Sequence, residues 1–128
     1  MHRLLVLLLV AAPTPRVDLF PEDYPRVPGE HGLWIGSLHL CGADAARTTL
    51  GKDLAGWDIL TLTFAPSIQP RLERETTRLL NQPMRIRVDG ITVAMPYVDE
   101  PIRGTELAMS GSRRDVIETI ERAAAAPC

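Results

Sequence analysis

Three soft ligands stand close together in the first third of the chain: His31, His39 and Cys41. A zinc centre takes at least three protein ligands, usually four, each oriented by a further partner. His39 and Cys41, two positions apart, project from one face if their segment is a strand. No fourth ligand accompanies them, so the reading is a buried thiol beside a surface histidine, with no metal. A catalytic pair of Cys41 with a histidine meets the same objection, because nothing near Cys41 would lower its pKa. Asp99 and Glu100 are neighbours, so in extended chain they point to opposite sides and make no acid–base pair. The sequence has no glycine-rich phosphate loop and no GxSxG elbow. Without a nucleophile, base and orienting group, we read no catalytic residue, no cofactor and no enzyme.

Arg85 and Arg87 are the most suggestive charged residues. They alternate with Met84, Ile86 and Val88, the period-two pattern of a strand with one buried face. Asp89-Gly90 follows, two residues that accept the positive φ of a type I′ turn. Ile91, Val93 and Met95 restart the alternation, so the segment predicts a β-hairpin. If helices cover one sheet face, Arg85 and Arg87 lie on the open one with Thr61 and Thr63. Such charge either solubilises an antiparallel sheet or forms a cationic surface for an acidic or extended partner. A free strand edge would add a partner chain by backbone pairing. The candidate partner-binding residues are therefore Arg85, Arg87, Asp99, Glu100 and Arg103, the last three on the loop Val98 to Gly104.

The remaining elements must position that hairpin. Leu33 to Leu40 reads as a first strand, Ala43 to Leu50 as a short helix, and Trp57 to Phe64 as a clear strand. Leu60, Leu62 and Phe64 share one face of the last. A helix from about Ser67 to Leu80 places Ile68, Leu72, Thr76 and Leu79 on its apolar stripe. Arg71, Glu73, Arg74, Glu75 and Arg78 make its solvated face. Pro70 fits the first turn, Asn81 a left-handed terminus, and Pro83 blocks continuation. Pro96 donates no ladder hydrogen bond, which puts its strand at an edge or a bulge. Glu106 to Ser110 returns as a strand. Ser112 to Asp115 has capping-box spacing before a helix burying Val116, Ile117, Ile120, Ala123 and Ala124.

With 128 residues, 45% hydrophobic and 23% charged, the sequence has room for one ordinary globular domain. A net charge of -2 argues against a nucleic-acid partner. Residues 1–12 read as a signal peptide: Met1-His2-Arg3 is a basic start, Leu4 to Val10 an aliphatic run, and Val10-Ala11-Ala12 a cleavage pattern. The run is too short to span a bilayer. The expected location is periplasmic or secreted, with no membrane span in the mature chain. Residues 13–30 hold five prolines and read as an extended linker, in which Leu19-Phe20 and Tyr24 are candidates to dock on the domain at 31–128. In an oxidising compartment Cys41 and Cys128 are a possible disulfide pair. The sequence leaves pairing open, because Cys128 is terminal.

From Thr76 to Gly111 the sequence resembles the head subdomain of the large periplasmic domain of SecD, a subunit of bacterial protein export. The matching positions are Thr76, Asn81, Met84-Arg85-Ile86-Arg87-Val88-Asp89-Gly90, Ala94-Met95-Pro96, Ile102-Arg103-Gly104 and Met109-Ser110-Gly111. Only Gly104 stands where the family has two glycines, and Arg85 replaces a small residue. Asp89, Gly90, Pro96, Gly104 and Gly111 thus carry structural roles. The transmembrane helices that drive export in the family have no counterpart in this sequence. The resemblance therefore implies a periplasmic module touching exported or unfolded polypeptide or an envelope partner, and no motor. A structural or interaction domain reusing the fold without an export role is the alternative. The expected fold is an α+β two-layer sandwich, a mainly antiparallel sheet of about four strands with two main helices on one face.

Overall fold

A computed structural model describes residues 20–111 and 113–128. The signal-peptide reading, the first part of the proline-rich linker and Ser112 of the capping box lie outside the described residues. The fold is α+β, with seven antiparallel strands in two open sheets and two α-helices among the described residues. The first sheet has the order β2-β1-β5-β6, from β1 (Leu33–Ile35), β2 (Leu38–Leu40), β5 (Ile86–Val88) and β6 (Ile91–Ala94). The second has the order β3-β4-β7, from β3 (Ala45–Lys52), β4 (Asp58–Phe64) and β7 (Glu106–Ser110). Helices α1 (Gln69–Arg78) and α2 (Arg114–Ala125) complete it.

Alternation decides which faces are buried. Leu60, Leu62 and Phe64 on β4, with Leu107 and Met109 on β7, turn inward. They meet Leu33, Ile35, Leu40 and Ile86 from the first sheet, Ile68 and Leu72 before and on α1, and Ile117 and Ile120 on α2 in one core. Pro70 sits in the first turn of α1, where the missing N–H is no loss. Asn81 is left-handed, at φ 63°.

Four local readings are corrected. Leu33 to Leu40 is a hairpin and not one strand: Gly36 takes φ 59°, and Trp34 pairs with His39 across the turn. Ala43 to Leu50 is not helical; a 3₁₀ turn at Gly42–Asp44 leads into β3. There Asp44 accepts the Cys41 N–H at 3.2 Å, a local bond that favours a turn, and the Thr48-Thr49 segment pairs with β4. The hairpin at Asp89 and Gly90 has the expected positive φ values of 51° and 83°, but its ladder shifts between Ile86 and Arg87. That bulge reverses the alternation on β6, so Thr92 is buried and Ile91 is 51% exposed. Helix α2 begins after Arg113, which has no side-chain cap bond, one residue later than capping at Ser112 requires.

Cys41 and Cys128 are joined, with Cα atoms 5.0 Å apart and 87 positions between them in sequence. The bond ties the end of β2 to the C-terminus, where the Gly42 N–H also donates to the Ala126 carbonyl at 2.6 Å.

Candidate functional site

The residues singled out for chemistry are placed as follows. His39 stacks on Trp34 with ring centroids 4.7 Å apart. Cys41, Asp44 and Cys128 converge, but the disulfide leaves neither sulfur a thiolate to bind a metal or attack a substrate. Asp99 and Glu100 are exposed on their loop. Arg103 is exposed, its guanidinium 3.7 Å from Glu73, and its carbonyl accepts Gln69 Nε2 at 2.8 Å.

Arg85 and Arg87 do not present a free cationic face. Arg87 donates to both carboxylate oxygens of Glu30, at 2.7 and 3.1 Å, and to the Gly36 carbonyl at 3.0 Å. Both side chains of that pair are largely buried, at 12% and 11% exposure. Arg85 donates to Thr92 Oγ1 at 2.9 Å and lies 4.2 Å over the Tyr24 ring. Thr61 and Thr63 belong to the other sheet. The physical reason is the strap of residues 20–30. It carries Tyr24 and Glu30 onto the outer face of the first sheet and is pinned by the Val27 N–H to the Gly90 carbonyl at 2.9 Å. A Cβ at Gly90 would collide with the Val27 carbonyl, so glycine is needed there for both the turn and the strap.

Sequence reasoning missed Glu75. The residue stands among those expected on the solvated helix face, yet its side chain is only 6% exposed. Its oxygens accept the Ser37 N–H and Oγ–H, each at 2.8 Å, and two donors of Arg78, at 2.6 and 3.2 Å. Burial works to raise the carboxyl pKa, but the bonds from Arg78 and Ser37 outweigh it and the net shift is downward. This carboxylate locks the β1–β2 turn onto α1.

The strongest candidate for binding is a groove of about 940 Å³ between the two sheets. Its walls are the outer strands β6 and β7, both terminal in their sheets, with Phe20, Tyr24 and the start of α2 closing the sides. Ile91, Val93, Ala94 and Met109 give part of its lining an apolar character, beside the polar Thr92, Ser110, Arg113 and Asp115. Backbone phase follows from the register. On β7, the Phe64 N–H to Thr105 carbonyl and the Gly111 N–H to Asp58 carbonyl bonds fix which residues face β4. Glu106, Ala108 and Ser110 therefore turn their N–H and C=O groups outward. On β6, the turn-closing pair Val88–Ile91 and the Met84 N–H to Pro96 carbonyl bond put Thr92 and Met95 in the outward phase. The two edges thus flank the groove with backbone groups that neither sheet uses. Among the described residues, no helix is long and apolar enough to cross a membrane.

No protein-family model matches the chain, and no curated protein does. Solved structures do. The fold is similar to SecDF, a membrane component that enhances protein export, with TM-score 0.55, 24% identity, and 67% of this chain against 40% of that one. SecDF from Thermus thermophilus, a translocon-associated membrane protein, gives TM-score 0.55 and 26% identity over 67% of this chain and 12% of that one. SecDF in a super-membrane-facing form gives 0.53 and 27% over 66% and 11%. The similarity agrees with the resemblance read from Thr76 to Gly111. The chain spans 40% of the length of the first of these structures and 11–12% of the other two.

Proposed function

We propose that this domain is a non-catalytic periplasmic module that holds extended polypeptide during or near protein export, by strand addition in the groove between β6 and β7. The observation that carries the reading is the pair of outward edges that flank one partly apolar groove. An extended segment there satisfies outward N–H and C=O groups on both sides, while alternate side chains enter the lining. Unused edges are otherwise an aggregation liability. The similarity to SecDF and the N-terminal leader pattern support an exported or unfolded polypeptide, or an envelope protein, as the occupant. The exposed loop with Asp99, Glu100 and Arg103 continues directly from β6 and offers a second, polar contact. Arg85 and Arg87 act through the strap, which they hold in place as one wall.

The test uses proline at an outward position. Ala108 is exposed and its N–H lies outside the β4 ladder, so Ala108→Pro spares that ladder. It removes one edge donor and crowds the groove. Binding of a fluorescein-labelled peptide of alternating valine and threonine, followed by anisotropy, should weaken by about tenfold or more, the worth of a well-made hydrogen bond or two. The thermal midpoint should move by only a few degrees. Equal affinity in the variant, or no binding to the parent protein at low salt, overturns the proposal.

A further inference from the structure

The turn between β3 and β4 carries the two most exposed large apolar side chains among the described residues. Leu54 is fully exposed and Trp57 is 63% exposed, with Leu50 at 39% nearby on β3. Neither the core nor the groove uses them. The turn is also built to hold its shape. Asp53 Oδ1 accepts the N–H groups of Ala55 and Trp57, at 2.9 and 2.8 Å, and Oδ2 accepts the Ser110 hydroxyl at 2.8 Å. The Asp53 N–H donates to the Trp57 carbonyl and the Gly56 N–H to the Asp53 carbonyl. The bond from Ser110, followed by those from the Trp57 and Ala55 backbone, holds the Asp53 carboxyl below its ordinary range.

We propose that this tip enters the interfacial layer of a phospholipid bilayer. Four observations favour lipid over a protein cleft. The tip is a convex protrusion with two large apolar side chains, and the described charged residues stand at its base. The N–H groups of Asp53, Ala55, Gly56 and Trp57 are satisfied within the turn, which lowers the cost of carrying the loop out of water. Tryptophan, with an apolar body and a polar N–H, suits the headgroup boundary. Lys52 and Arg114 flank the base, both paired to Asp58, the residue next to Trp57, at the depth where lipid phosphates would lie. Those cations are opposed by Asp53 and Asp58, so attachment is mainly apolar and changes little between low and high salt. Two side chains give a reversible foothold weaker than a single acyl anchor, and no permanent insertion. The inference does not depend on the groove.

The measurement is tryptophan fluorescence and co-sedimentation of the full chain with vesicles of phosphatidylethanolamine and phosphatidylglycerol. Emission should shift to the blue and be quenched by bromine-labelled acyl chains. Trp57→Phe should abolish that shift while leaving sedimentation largely intact, which assigns the signal to Trp57 and not Trp34. Leu54→Glu should lower the bound fraction about tenfold or more with an unchanged thermal midpoint, since Leu54 makes no core contact. No blue shift at saturating lipid, or vesicle binding indifferent to Leu54→Glu, overturns the proposal. Binding only to a protein partner, with vesicles bare, also overturns it.

Discussion

Reducing the Cys41–Cys128 bond should lower the thermal midpoint by roughly 16–40 °C. The bond closes a loop with a sequence separation of 87, and releasing so long a loop returns about 4–5 kcal/mol of entropy to the unfolded chain in the chain-entropy model. For a domain of this size each kcal/mol moves the midpoint by about 4–8 °C. The bond also anchors the C-terminal end of α2 beside β2, so its loss frees Ala126 from the Gly42 N–H. Calorimetry with and without reductant, and on the Cys41→Ser/Cys128→Ser double variant, checks this. The two should agree, and a shift of under about 5 °C in both would show that the cross-link contributes little. Such dependence also means the domain is at its most stable only in an oxidising compartment.

Glu75→Ala should cost about 2–3 kcal/mol, the second largest effect. The substitution strips acceptors from the Ser37 N–H and hydroxyl and from Arg78, and charge-assisted bonds of this kind are worth more than neutral ones. The Arg78 side chain is 60% exposed and recovers water, so its share is small. Most of the loss comes from the β1–β2 turn. Gly36 is already packed so closely on the carboxylate that a Cβ there would collide with it. The pH dependence has a defined sign. Because the folded-state pKa is depressed, the stability Glu75 contributes is fully present above the ordinary glutamate value and is lost as pH falls through the folded value. Urea midpoints measured from neutral to acid pH should therefore fall less steeply for Glu75→Ala than for the parent. Parallel curves would contradict the role given to this carboxylate.

How much was legible in the sequence depended on how far each residue's partner lies from it. The alternation of Leu60, Leu62 and Phe64, and of Met84, Ile86 and Val88, reports burial directly, because register fixes the face. Asp89-Gly90 announces its own turn. The run from Leu33 to Leu40 kept an apolar alternation across Gly36, so a hairpin looked like a single strand. Ala43 to Leu50 was mistaken for helix because the pairing with β4 that makes it a strand is a tertiary fact. Glu75 looked like its charged neighbours; its partner Ser37 is 38 positions away. Arg85 and Arg87 alternate with the core residues of their strand, but Glu30, which neutralises Arg87, is 57 positions away. The groove was beyond reach for the same reason. With about four strands counted in one sheet, no reading could bring β6 and β7 face to face.

The central claim is that the two outward edges capture an extended chain, and amide hydrogen exchange with and without the valine–threonine peptide tests it most directly. Bound peptide should slow exchange at Thr92, Met95, Ala108 and Ser110, whose N–H groups are free of either ladder, and leave the exposed loop amides at Ala55 and Trp57 as they were. Peptide that binds while those four edge amides exchange at their original rates would contradict the claim.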